Sequence, residues 1–315
     1  MRPKNKPKIL VIVGPTATGK SNLAVRLAKK LNGEVISADS RQVYKGLTIG
    51  TGKITKKEMK GVAHHLLDVA DPHTQYSVIK YEADATKAIA DCVQRNKLPI
   101  ITGGTGFYIQ ALVEGIILPD VPPNKKLRAK LNKMSADRLL KLLKKLDPQR
   151  YKTIEKKNLR RVIRAIEIAT ALGKVPKLKK SAAKYEPLFI GLNLSPVELR
   201  KRIHARLLKR IKAGMIAEAK RLHAPKLAGM DRTRSRGLTY ARMNELGLEY
   251  RYLALYLQRK LTKKEMVEKL STEIWQYAKR QMTWFKKDRR IEWHDPTDSS
   301  DVSHIRAHVQ TFLNK

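Results

Sequence analysis

Eight residues near the N-terminus, Gly14-Pro15-Thr16-Ala17-Thr18-Gly19-Lys20-Ser21, limit what this chain can fold into more than any other stretch. The β-branched run Lys8 to Val13 precedes them, and Ser21 to Leu31 follows with Leu23, Leu27 and Leu31 at helical spacing. Strand, glycine-rich turn and helix in that order, with Gly-x-x-x-x-Gly-Lys-Ser in the turn, make a phosphate-binding loop, or P-loop. The backbone amides of the loop and the helix N-terminus hold phosphate oxygens, Lys20 neutralises charge, and the Ser21 hydroxyl is placed to ligate Mg²⁺. A mere tight turn would need neither Lys20 nor Ser21.

The flanking pattern extends this unit into a sheet. Glu34 to Ala38 reads as a second strand ending at Asp39, Ser77 to Asn96 as a long helix, and Leu98 to Thr102 as a buried strand running into Gly103-Gly104-Thr105-Gly106. Alternation of strands and helices predicts an α/β fold with a P-loop NTPase-like parallel sheet core flanked by helices. In such sheets ligands sit beyond the carboxyl ends of the strands, where Gly14, Asp39 and Thr105 all emerge.

A proline cluster, Pro119 to Pro123, closes this first part of the core, residues 1–122. From Asn124 to Lys184 there are 21 Lys and Arg against four acids, with apolar residues at helical spacing. Residues 123–185 are therefore expected to form a small all-helical insertion domain, and residues 186–315 to return to the core. That second part starts with a strand at Glu186 to Leu194. One long basic helix over Pro196 to His223 follows, then helices at Tyr250 to Gln258 and Thr262 to Lys287, a strand at Ile291 to Trp293 and a last helix near Val302 to Leu313.

The whole chain carries 67 basic and 28 acidic residues, a formal +39, which repels itself unless a polyanion compensates, and nucleic acid is the leading candidate. The single cysteine, Cys92, cannot make an internal disulfide, and no Cys/His spacing suggests a structural metal. No stretch approaches the roughly 20 apolar residues of a membrane span. A cytoplasmic protein acting without a membrane is the expectation, and a monomer.

P-loop enzymes usually place a second carboxylate at a strand end to assist the metal. Here Leu98 to Thr102 runs into Gly-Gly-Thr-Gly, so Asp39 is the acid at hand. It reads either as a metal ligand in a kinase-like site or as a general base taking a proton from an acceptor. The pair His64-His65 reads as structural. Arg280, Thr283 and Trp284 share one face of a helix, and Arg160, Arg161 and Arg164 line the insertion in a pattern suited to phosphate backbones.

Taken together, Gly14 to Ser21, Ser37 to Tyr44, Ile49-Gly50-Thr51, His65 to Pro72, Thr102 to Tyr108, Arg161 to Glu167 and Ala278 to Phe285 resemble, in order and over nearly the whole chain, the tRNA dimethylallyltransferases, also called tRNA isopentenyltransferases. The resemblance implies transfer of a dimethylallyl group from dimethylallyl diphosphate to the exocyclic N6 amine of the adenosine just 3′ of the anticodon, with Mg²⁺. It implies a diphosphate cradle made of Gly14, Thr16, Ala17, Thr18, Gly19, Lys20 and Ser21, the last also holding the metal. Asp39 resembles the family's catalytic aspartate and Thr105 the threonine that positions the amine. Asp39, Ser40, Arg41, Gln42, Arg280 and Gln281 are implied at the tRNA, together with Arg128, Arg160, Arg161 and Arg164 of the insertion, which then clamps the anticodon stem-loop.

Two departures stand out. Glu155-Lys156-Lys157 replace the family's usual His-Pro before Asn158, and a polar position that can contact the diphosphate falls at Leu246, leaving Arg236 or Arg242 as substitutes. Two rivals remain: a P-loop kinase of nucleotides or nucleic acid, and a non-catalytic basic RNA-binding protein.

Overall fold

The structure, a computed structural model, describes residues 6–224 and 237–314, without the side chain of Val302. Lys8–Val13 forms β1, Lys20–Lys30 α1 and Gly33–Ser37 β2. Lys56–Met59 (α2) leads into a two-residue strand, His64–His65 (β3), then Val78–Gln94 (α3), Leu98–Thr102 (β4) and Gly106–Glu114 (α4). β3 carries no period-2 signal at two residues and is recognised only by its pairing with β2.

The chain divides into two compact units, one of residues 1–114 with 183–315 and one of residues 115–182. The second unit holds β5 (Ile116–Ile117), α5 (Lys125–Leu131), α6 (Ala136–Leu146), α7 (Pro148–Thr153), α8 (Leu159–Leu172) and β6 (Lys179–Lys180). It is not all-helical: β5 and β6 pair antiparallel, Ile116 with Lys180 and Ile117 with Lys179. That ladder carries the unit beyond the proline cluster to Gly115 on one side and ends it at Ala182 on the other. Two-residue strands leave no periodicity in sequence. Leu131, Leu139, Leu143, Val162 and Ile166 fill the unit's own core.

The first unit resumes with β7 (Glu186–Leu192), α9 (Pro196–Lys212) and α10 (Met215–His223). The single helix expected over 196–223 is two, because Gly214 at φ +99° ends α9 and restarts the chain as α10. Tyr240–Leu246 (α11), Leu248–Leu257 (α12), Lys263–Phe285 (α13), Glu292–His294 (β8) and Ser299–Asn314 (α14) complete it. Thr262 and Glu265 form a reciprocal capping box that fixes the start of α13.

The six-stranded sheet has the order β3-β2-β4-β1-β7-β8 with every pairing parallel. Its two faces follow from the period of two. Ile9, Val11, Val13, Ile36 and Ile101 enter the larger core, while Leu10, Ile12, Val35 and Ile100 pack against Leu23, Ala24 and Leu27 of α1. β1, β2 and β4 all end at the level where α1 begins, which brings their loops to one place.

Candidate active site

At the end of β1 the chain turns under close constraint. Gly14 has φ +138°, and a Cβ there would lie 2.3 Å from the Leu192 carbonyl oxygen of β7, so only glycine fits. Thr18 is fully buried and its hydroxyl donates to the Pro15 carbonyl at 2.9 Å. The Lys20 ammonium donates to that same carbonyl. Burial, and then the positive charge of Arg206, push the Lys20 pKa down to about 7, with Asp39 opposing the shift. A cationic group held this way is poised to gain a proton and an anion together.

The loop opens on a cavity of about 440 Å³. Thr16, Ala17, Gly19, Lys20 and Ser21 line one side, and Asp39 and Gln42 another. The Asp39 carboxylate is fixed by its own turn: Oδ1 accepts from the backbone N–H of Arg41 at 2.8 Å and of Gln42 at 3.2 Å. Ser40 donates its backbone N–H to the Thr105 hydroxyl at 3.0 Å, which ties the strand ends of β2 and β4 together. Gly14 and Thr18 thus shape the loop from beneath, with the Thr18 hydroxyl engaged internally. Arg41 bonds locally to the Ser40 carbonyl, and Arg280 is exposed on α13.

Gln281 has a second role at the cavity wall. It is 5 % exposed, and its side-chain oxygen accepts from the Thr16 backbone N–H at 2.9 Å while its amide nitrogen donates to the Gly104 carbonyl at 2.9 Å. It braces the phosphate loop against the turn after β4 and also lines the cavity.

Further residues that no motif singled out complete the cavity wall. Arg202 and Arg206 reach it from α9 and Tyr277 from α13. Arg206 donates to the Gly52 carbonyl at 3.0 Å and approaches the Thr16 hydroxyl at 3.5 Å. Its own pKa is depressed, first by burial and then by Arg210. A helix crowded with Lys and Arg gave no way to tell which cation turns inward. Leu246, by contrast, is 1 % exposed in the apolar core, and Arg242 is held by the Pro72 and Thr74 carbonyls. Arg236 lies outside the described residues. Arg206 is therefore the cation beside the loop.

The structure also brings Glu34, His65 and Cys92 within 4.8 Å of one another, a grouping with no signature in sequence spacing. Arg95 donates to both Glu34 oxygens, at 2.5 and 2.7 Å, and His65 Nε2 lies 2.7 Å from Oε2. The guanidinium and imidazole hold the Glu34 carboxyl well below the usual range, and burial raises the Cys92 thiol. The Arg95–Glu34 ion pair, with the protonated Cys92 thiol donating to the same carboxylate, ties α3 to β2 and β3.

In the second unit, Arg128 and Arg164 converge on Glu167, whose side chain is 1 % exposed. Arg128 bonds it through two nitrogens, at 2.9 and 2.8 Å, and the Asn124 backbone N–H adds a third bond. These two arginines support the fold. Arg160 and Arg161 are exposed at the start of α8, where Asn158 caps the helix by accepting from the Arg161 backbone N–H. Asp147 caps α7 and accepts from Val175, and Glu155 pairs with Arg161, so most of the few acids are internally engaged and the surface stays basic.

Residues 42–288 match the family model described as IPP transferase. The chain is 40% identical over 297 residues to the tRNA dimethylallyltransferase of Anoxybacillus flavithermus, covering 93% of this chain and 92% of the relative. It is 42% identical over 288 residues to tRNA dimethylallyltransferase 2 of Treponema denticola, covering 90% and 93%. Among solved structures, the full-length tRNA isopentenylpyrophosphate transferase of Bacillus halodurans is 35% identical with a TM-score of 0.71, covering 98% of this chain and 97% of that one. A eukaryotic dimethylallyltransferase acting on tRNA is 29% identical with a TM-score of 0.80, covering 98% and 80%. With that agreement of sequence and fold along both chains, this protein belongs to the tRNA dimethylallyltransferase family.

Proposed function

We propose that the protein moves a dimethylallyl group from dimethylallyl diphosphate to the N6 amine of the adenosine 3′-adjacent to a tRNA anticodon, releasing diphosphate. The observation that carries this reading is the cavity shared by the phosphate loop, the half-buried cations Lys20 and Arg206, and Asp39. Loop amides, Lys20 and Arg206 take the negative charge that builds on the leaving diphosphate as the allylic C–O bond breaks, which is the main electrostatic task of the reaction. Asp39 accepts the proton that the amine loses as the new C–N bond forms. Thr105, by fixing Ser40, sets the turn that carries the base.

Mg²⁺ fits this donor set. Ser21 lines the cavity at the start of α1, and its hydroxyl would hold the ion. When bound, the ion would supply further charge neutralisation at the leaving group. The target adenosine lies in a single-stranded loop, which lowers the cost of turning the base into the cavity. Ser40, Arg41, Gln42 and Arg280 are assigned to the RNA near the target, and Arg160, Arg161 and the other exposed cations of the second unit to the anticodon stem-loop phosphates. A cytoplasmic monomer completes the proposal. Among the described residues no helix is long and apolar enough to cross a membrane.

A kinase reading is weaker because the cavity offers Asp39 and Glu58 as its acids, and Glu58 accepts from Thr55 to cap α2. Incubation with tRNA and either labelled dimethylallyl diphosphate or γ-labelled ATP separates the alternatives. Label is expected in tRNA from the prenyl donor alone. Label from ATP alone would establish the kinase, and label from neither the RNA-binding protein.

A further inference from the structure

The floor of the cavity holds a group the reading above does not use. On the face of the sheet covered by α1, the stripe of residues runs from Val35 and Ile100 toward the carboxyl ends of β2 and β4, where it becomes Ser37 and Thr102. These two are register partners, and Thr102 is also the partner of Ile12 on β1. The stripe thus changes from aliphatic to hydroxyl where α1 begins with Lys20 and Ser21. Both residues line the cavity, at 5 % and 7 % exposure.

The Thr102 hydroxyl is buried and has no hydrogen-bond partner. A buried hydroxyl left unpaired is costly, and valine would fill the same strand position without that cost. The neighbouring strand end next to a phosphate loop is where P-loop enzymes usually place the acid that assists the metal. Here that place is taken by a neutral hydroxyl, on a residue that lines the cavity.

We propose that Thr102, with Ser37 beside it, forms an outer shell for the diphosphate-bound Mg²⁺, accepting hydrogen bonds from the ion's waters where related folds use a carboxylate. The inference rests on the diphosphate reading of the cavity. A neutral outer shell suits a site whose ion must leave with a diphosphate product, because it orients the waters without adding charge that would retain the metal. Thr102 is a positioning residue, acting through water and metal rather than on the reacting atoms.

Calorimetric titration of inorganic pyrophosphate into the whole protein, with and without Mg²⁺, tests it. Thr102→Val, which keeps the shape of the side chain, is expected to leave metal-free pyrophosphate affinity unchanged and to lose roughly tenfold of the affinity gained with Mg²⁺. Thr102→Ser is expected to restore most of that gain. An unchanged Mg²⁺ effect in Thr102→Val, or an equal loss with and without the ion, would overturn the proposal. Failure of the wild-type protein to bind pyrophosphate under either condition would overturn the diphosphate reading and this inference with it. Thermal melts of both variants identify any loss that comes from misfolding.

Discussion

Gln281 and Thr16, 265 residues apart, meet at 2.9 Å, the side-chain oxygen of one accepting the backbone N–H of the other. Through this contact α13 sets the conformation of the phosphate loop. Gln281→Ala should therefore raise KM for the prenyl diphosphate about tenfold, the equivalent of roughly 1.4 kcal/mol and near the upper range of one net hydrogen bond. kcat should change less. Steady-state kinetics at saturating tRNA checks the split.

Asp39 offers a cleaner separation of roles. Asparagine in its place still accepts from the Arg41 and Gln42 amides, so Asp39→Asn keeps the turn but cannot take a proton. Turnover should fall by on the order of a hundredfold or more with tRNA affinity intact. Filter binding beside single-turnover kinetics decides, and a collapse of tRNA binding would make Asp39 a recognition residue instead.

Lys20 makes diphosphate binding depend on pH. Its pKa of about 7 in the free protein rises once an anion compensates the charge, so binding takes up a proton above pH 7. Affinity should fall as pH rises from about 7 toward the bound-state pKa, by up to tenfold per unit. Calorimetry at pH 8 in buffers of different ionisation heat should show proton uptake, and Lys20→Met should abolish it.

Arginines of the second unit should divide into two kinds. Arg128→Ala removes a bidentate partner of the buried Glu167 carboxylate and should destabilise that unit by about 2 kcal/mol, read as a lower urea midpoint. Arg160→Ala, at an exposed position, should leave stability alone and reduce the slope of log tRNA affinity against log salt by about one.

Glu218 gives a stability test in the first unit. Its buried carboxylate accepts the backbone N–H groups of Thr48, Ile49 and Gly50 and the Tyr250 hydroxyl. Glu218→Ala leaves four donors unsatisfied and should cost about 3 kcal/mol or more. Glu218→Gln, which keeps an acceptor oxygen, should cost less.

Some of this was legible without coordinates. The bounds of β1 and β4, the helix after Lys20, the α/β class and the family follow from local signals: strand-length apolar runs, a glycine pattern with one mechanical use, and motifs in fixed order along the chain. The phosphate loop and Asp39 could be named because their chemistry is written in contiguous residues. What the tertiary structure alone decided are relations between distant residues. Gln281 became a brace of the loop because α13 passes over it, and Arg202 and Arg206 were distinguished from their basic neighbours on α9 only by which side of the helix faces the cavity. Arg128 and Arg164 became partners of Glu167 for the same reason. β3, β5 and β6 are two residues long, and their existence is a property of the strand beside them. Periodicity and motif spacing encode what a segment does with its own backbone; the partner of a charge, or the place of Thr102 in the cavity wall, is set by segments that sequence places far away.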